Sequence, residues 1–105
     1  MRRDLRVQHL LEAYRRLEGA ANREKPTEEN RAATESAIAD VQLLGSSEQV
    51  QLARQFALDI TGTGGASLNP LLEMLRRELR DELSLEPLHE KLTILRFVRD
   101  EKDHN

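Results

Sequence analysis

Cysteine is missing from the sequence altogether, which excludes disulfides, thiolate nucleophiles and thiolate metal sites. Tryptophan is missing too, and one tyrosine and two phenylalanines are the whole aromatic set. Base-stacking platforms for single-stranded nucleic acid therefore have little to be built from. No apolar run approaches the roughly 18 residues that span a bilayer, and no signal-peptide pattern opens the chain. Neither sign of charge dominates: 16 basic and 19 acidic residues leave a formal net charge of -3. That balance argues against general nucleic-acid binding, which needs a basic face. The expectation is a cytoplasmic chain, at the cytosolic face of a membrane if a parent chain is anchored.

Leucine, alanine and charged residues are abundant, the last at 33% of 105 residues. The length suits one domain with a modest core. Leu and Ala favour helices, and residues that favour strands are sparse.

Four helical patterns can be read. From Leu5 to about Asn22, Val7, Leu10, Leu11, Tyr14, Leu17 and Ala21 form one apolar stripe. Lys25-Pro26 ends this element, because a residue before proline avoids helical backbone. Thr27 caps a second helix with Glu28 and Glu29 in its first turn. Its buried face is Ala33, Ala37, Ile38, Val41 and Leu44, with Gly45 as a left-handed stop. Ser46 with Gln49 matches a capping box for a third helix, which turns Val50, Ala53, Phe56, Ala57 and Ile60 inward. Asn69 and Pro70 suit the start of a fourth. Its Leu72, Leu75, Leu79 and Leu83 share a face, with Leu68 packing back as a staple and an end expected near Ser84.

The expected architecture is all-α, a four-helix bundle-like domain over residues 1–87 with a C-terminal tail over 88–105. Leu88, Leu92, Leu95 and Val98 fit a helix, yet residues 93–98, T-I-L-R-F-V, are the best strand candidate in the chain. A strand would lack a partner inside a helical domain and would need another copy or another protein. Leu92, Ile94, Leu95 and Phe97 are therefore the candidate interface. Asp100 to Asn105 reads as a solvated end.

Sites for chemistry are scarce. His9, His89 and His104 make no metal-ligand spacing with one another. Asp40 and Asp59 come nearest to buried faces, and both read more simply as solvent-facing ends or edges of helices. The serines sit at cap and turn positions. No catalytic residue, metal ligand or cofactor site is expected, and the chain is read as a non-enzymatic module that binds a protein partner or itself. Arginines in R-R-D-L-R (Arg2, Arg3 and Arg6), Tyr14-Arg15-Arg16 and Leu75-Arg76-Arg77 are interleaved with acids, which leaves weak nucleic-acid binding as an alternative.

One stretch, D-I-T-G-T-G-G from Asp59 to Gly65, is similar to the D-I-V-G-T-G-G-D-G loop of the anthranilate phosphoribosyltransferase and pyrimidine nucleoside phosphorylase group. That resemblance implies a phosphate-ligand site on backbone N–H groups at Gly62–Gly65. The chain departs from it at Ala66-Ser67, and the large α/β domain that holds the loop in that family is missing. The joint between two helices is the competing reading of the same residues.

Three longer stretches resemble a group of small, uncharacterised bacterial helical proteins: L-L-E-A-Y-R-R-L-E-G-A-A-N-R, A-I-A-D-V-Q-L-L-G-S-S-E-Q-V-Q-L-A-R-Q-F-A and S-L-N-P-L-L-E-M-L-R-R-E-L-R-D-E-L. The resemblance covers roughly Leu10 to Pro87 and implies a helical domain. Proteins of this kind often carry a membrane-spanning helix before the first stretch, and this sequence shows none.

Overall fold

A computed structural model describes residues 3–23, 25–63 and 65–97. Arg2, Gly64, Val98 and the end from Asp100 to Asn105, which includes His104, lie outside the described residues. Among the described residues the chain forms four helices: α1 (Arg3–Ala20), α2 (Glu28–Leu44), α3 (Ser47–Thr63) and α4 (Asn69–Glu82).

Helix α1 buries Leu10, Ala13 and Leu17, and Ala21 follows on the same face just past its end. Its stop comes earlier than the proline. Ala20 is the last helical residue, and Asn22 takes left-handed backbone at φ 58°. Asparagine tolerates that conformation because its side chain bonds locally. Here the Asn22 amide donates to Asn69 Oδ1 at 3.2 Å and ties the end of α1 to the start of α4.

Helix α2 begins as its sequence indicates. Asn30 N–H donates to Thr27 Oγ1, and Thr27 N–H donates to Asn30 Oδ1, both at 3.0 Å. This is a reciprocal capping box with Asn where Glu or Gln is usual. Ala37, Ile38 and Val41 are buried on its inner face. Ala13 of α1 and Ala37 of α2 are both fully buried, and small side chains let these two helices pack more extensively than any other pair.

Gly45 corrects one expectation. Its backbone is extended, φ -76° and ψ 166°, not left-handed. Glycine is needed there for space: a Cβ would lie 2.5 Å from the Val41 carbonyl oxygen and about 3 Å from the Gln49 side chain. The next cap forms as read, with Ser46 N–H donating to Gln49 Oε1 at 2.9 Å and Gln49 N–H donating to Ser46 Oγ at 3.3 Å.

Helix α3 does not stop at Ile60. It continues through Gly62 to Thr63, since one glycine costs a helix only about 1 kcal/mol. The extra turn leaves Ile60 substantially exposed, and Ala53, Phe56 and Gln49 take the inward positions. At α4 the cap is Leu68 with helical backbone and no side-chain cap bond, not Asn69. Asn69 is inside the helix, its N–H donating to Ser67 Oγ at 3.1 Å and its side chain engaged by Asn22. Leu68 is buried in the core, but as the cap residue itself it does not hold the staple position that precedes a cap.

Helix α4 ends on a paired stop. Leu85 N–H donates to Arg80 O at 2.9 Å and Ser84 N–H to Asp81 O at 3.0 Å. Ser84 holds the left-handed position at φ 60°, where glycine is usual. Leu83 lies beyond the helix and is 62% exposed, so the apolar stripe of α4 closes at Leu79.

Each helix packs on two neighbours. α1 packs along α2 and α4, and α3 packs along α2 and α4. Leu10, Leu17, Val41, Leu71, Leu72 and Leu75 fill the centre. The result is an all-α, four-helix bundle-like domain.

One polar chain crosses the end where α2 meets α3. Fully buried Gln49 donates through Nε2 to Glu78 Oε1 at 2.5 Å. Glu78 Oε2 pairs with Arg6 Nη1 at 2.8 Å, and Arg6 Nε donates to the Leu44 carbonyl at 2.8 Å. These bonds satisfy a terminal carbonyl of α2 and join all four helices.

Candidate functional site

Past Ser84 the described chain forms neither helix nor strand ladder. It runs back along the groove between α1 and α4, with exposed and half-buried residues alternating over 91–97 as extended backbone would place them. Proline 87 and the β-branched pair Thr93-Ile94 favour extended backbone. Such backbone places alternate side chains on opposite faces. Leu92, Ile94 and Arg96 are half-buried and turn to the bundle; Thr93, Leu95 and Phe97 turn outward. Leu92 and Ile94 pack on the core.

A polar stripe on α4 holds this segment by its backbone. Glu73, Arg76 and Arg80 recur at helical spacing on one side of the helix. Arg80 Nη2 donates to the Glu86 carbonyl at 3.2 Å, and Arg76 Nη1 donates to the Glu90 carbonyl at 3.2 Å. Glu73 Oε2 accepts the Leu92 N–H at 3.0 Å. Successive contacts climb α4 as the tail advances, so the tail is antiparallel to it. On the opposite wall, Arg96 Nη1 pairs with Glu18 Oε2 of α1 at 3.5 Å, and Arg96 Nη2 donates to the Glu18 carbonyl. Arg96 Nε is buried without an acceptor.

Tyr14 belongs to the same groove. It packs partly buried against the core, with electrostatic influence from Arg76 of α4 and Glu18 of α1. Burial raises its pKa above the ordinary tyrosine value; Arg76 opposes the rise and Glu18 adds to it.

The four candidate interface residues are thus divided. Leu92 and Ile94 are used by the chain's own bundle. Leu95 at 69% and Phe97 at 88% exposure face solvent. Of the residues that hold the tail, Arg76 was named from sequence only as part of a basic run, and Glu18, Glu73 and Arg80 were not named as candidates. Glu73, Arg76 and Arg80 are an ordinary charged stripe until an extended segment lies beside them, although the alternation at 92, 94 and 96 was available as a signal.

No family model, curated protein or solved structure matches this chain.

The glycine loop borders a cleft of about 610 Å³ at the end of the bundle opposite the polar chain. Its walls include Ile38, Phe56, Leu68, Asn30, Thr34 and Gly65. Arg31 on its rim pairs with Glu28 at 3.7 Å. Gly62 lies inside α3, so the carbonyl end of that helix, the negative end of its dipole, leads into the loop. A Cβ added at Gly62 or Gly65 would meet nothing within 4 Å, so neither position is glycine for want of space.

The remaining candidates have intramolecular partners. Asp40 pairs with Arg16 Nη2 at 2.5 Å, and the other terminal nitrogen of Arg16 donates to Ser36 Oγ. Asp59 accepts from Gln55 Nε2 at 2.8 Å. His9 lies 3.8 Å from Glu12, and His89 is exposed. Among the described residues no group of three His, Asp or Glu could hold a metal ion. Of the basic runs, Arg6, Arg16 and Arg76 are turned to carbonyls and carboxylates of the chain itself. Among the described residues no helix is long and apolar enough to cross a membrane.

Proposed function

We propose that this chain is a non-enzymatic protein-interaction module that self-associates through its C-terminal tail. One observation carries the reading: Leu95 and Phe97 stand 69% and 88% exposed on an extended segment fixed at Leu92, Ile94 and Arg96. Two large apolar side chains turned outward beside neighbours seated on the bundle lose less entropy on docking than a free tail would, which suits an interface anchor. The polar side chains described above bond within the fold instead of converging on an open site, and this supports a binding role over a catalytic one.

The test is the full chain against the Leu95→Asp/Phe97→Asp double variant, compared by light scattering across concentration, with circular dichroism as the fold control. Association of the parent chain that disappears in a fully helical variant is the expected result. Unchanged association in the variant overturns the reading.

A further inference from the structure

Resting on that reading, we infer that the groove between α1 and α4 is a receptor for an extended peptide, and that its partner in trans is residues 91–97 of a second copy. The groove reads an occupant in two ways. Glu73 and Arg76 bond to main-chain groups, which any extended segment offers. The core seats two alternate apolar side chains, and Glu18 takes an arginine two residues further on. Together they specify apolar-x-apolar-x-Arg, which Leu92, Ile94 and Arg96 supply.

The link that precedes the seated segment is longer than its span in cis requires. Glu73 and Glu82 are roughly 14 Å apart along the helix axis, whereas residues 83–91, stretched, reach about 30 Å. The link is bonded to α4 only at its start and at Glu86 and Glu90; it borders a cleft of about 590 Å³ and carries Leu83, Leu85 and Leu88 exposed. Among the described residues the tail makes no backbone–backbone bond beyond Leu85, and the buried Arg96 Nε has no acceptor. Exchange of an arm on a slack link between identical protomers creates no new surface and closes as a symmetric dimer.

Charge reversal separates cis from trans. In the Glu18→Arg chain, arginine faces arginine; in the Arg96→Glu chain, carboxylate faces carboxylate. Neither variant can restore the pair by itself, in cis or with its own copies. Mixed, each groove matches the other chain's tail. Sedimentation and light scattering should show both variants alone at the 12.0 kDa chain mass. The mixture should hold on the order of tenfold more dimer, as expected for two restored partly buried pairs. Circular dichroism confirms that each variant folds. As a second readout, Glu18→Cys chains mixed with Arg96→Cys chains should form a covalent heterodimer under oxidation, and adding Leu92→Asp to the tail chain should abolish it. A charge-reversed mixture with no more dimer than either variant alone, or cross-linking indifferent to Leu92→Asp, overturns the exchange. The two readings fail separately: association that survives Leu95→Asp/Phe97→Asp removes the outward face, and a monomeric mixture removes only the exchange.

Discussion

Replacing Gln49 by leucine tests the polar chain that joins the four helices. Leucine is similar in size and keeps the fully buried site filled. Two losses follow from the distances. The Ser46 N–H loses its acceptor at 2.9 Å, half of the capping box of α3, worth about 1 kcal/mol. Glu78 loses the 2.5 Å bond from Nε2, and a bond to a charged group is worth about 1.5–3 kcal/mol. Against these, burying an apolar side chain returns about 1–1.5 kcal/mol. The net expected loss is about 2 kcal/mol, which for a domain of this size lowers the melting temperature by about 8–10 °C. Urea and thermal unfolding followed by far-ultraviolet circular dichroism measure it, with an unchanged urea slope as the check that the unfolded state is the same. A loss below about 0.5 kcal/mol, or a gain, would refute the reasoning. It would place this chain among proteins whose buried polar groups are replaceable by apolar ones without cost. A double-mutant cycle between Arg6→Met and Glu78→Gln would then show whether the outer bonds still couple α1 to α4.

Two turn positions respond in opposite directions to glycine chemistry. Gly45→Ala should cost about 1–3 kcal/mol, because the new Cβ meets the Val41 carbonyl, which is backbone and cannot swing aside. Ser84→Gly should gain up to about 1 kcal/mol by relieving left-handed backbone at φ 60°; urea midpoints of the two variants read both signs, and a neutral Gly45→Ala or a destabilised Ser84→Gly contradicts this account. Tyr14, the single tyrosine, should release its proton above the ordinary value near 10, since burial disfavours tyrosinate. Its raised folded pKa contributes stability that is complete below the unfolded value and lost as pH rises through the folded one. Tyrosinate absorbance gives the midpoint, and Tyr14→Phe should flatten the alkaline fall in stability; a midpoint at or below the ordinary value contradicts the burial argument.

Much of the fold was legible because it depends on local chemistry. Leu10, Leu17, Val41, Leu72 and Leu75 announce their burial by helical spacing, since a periodic stripe can be hidden only on one face. Thr27 and the Ser46–Gln49 pair announce helix starts, because a cap bonds within three residues. Boundaries were less legible. The end of α1 fell within two residues of the Asn22 expected, whereas α3 ran past Ile60 and α4 is capped at Leu68 instead of Asn69, since the energy differences there are about 1 kcal/mol and packing decides them.

The sequence alone determined four amphipathic helices, their short links and the classes of chemistry that a cysteine-free, nearly charge-balanced chain excludes. The tertiary structure alone decided the tail. Residues 92–96 have no local preference strong enough to fix a conformation, and a helix and a strand fit their pattern equally. A groove walled by Glu18 on one side and by Glu73 and Arg76 on the other selects the extended form. It does so because only alternate side chains can enter a slot between two helices while the main chain bonds to its walls.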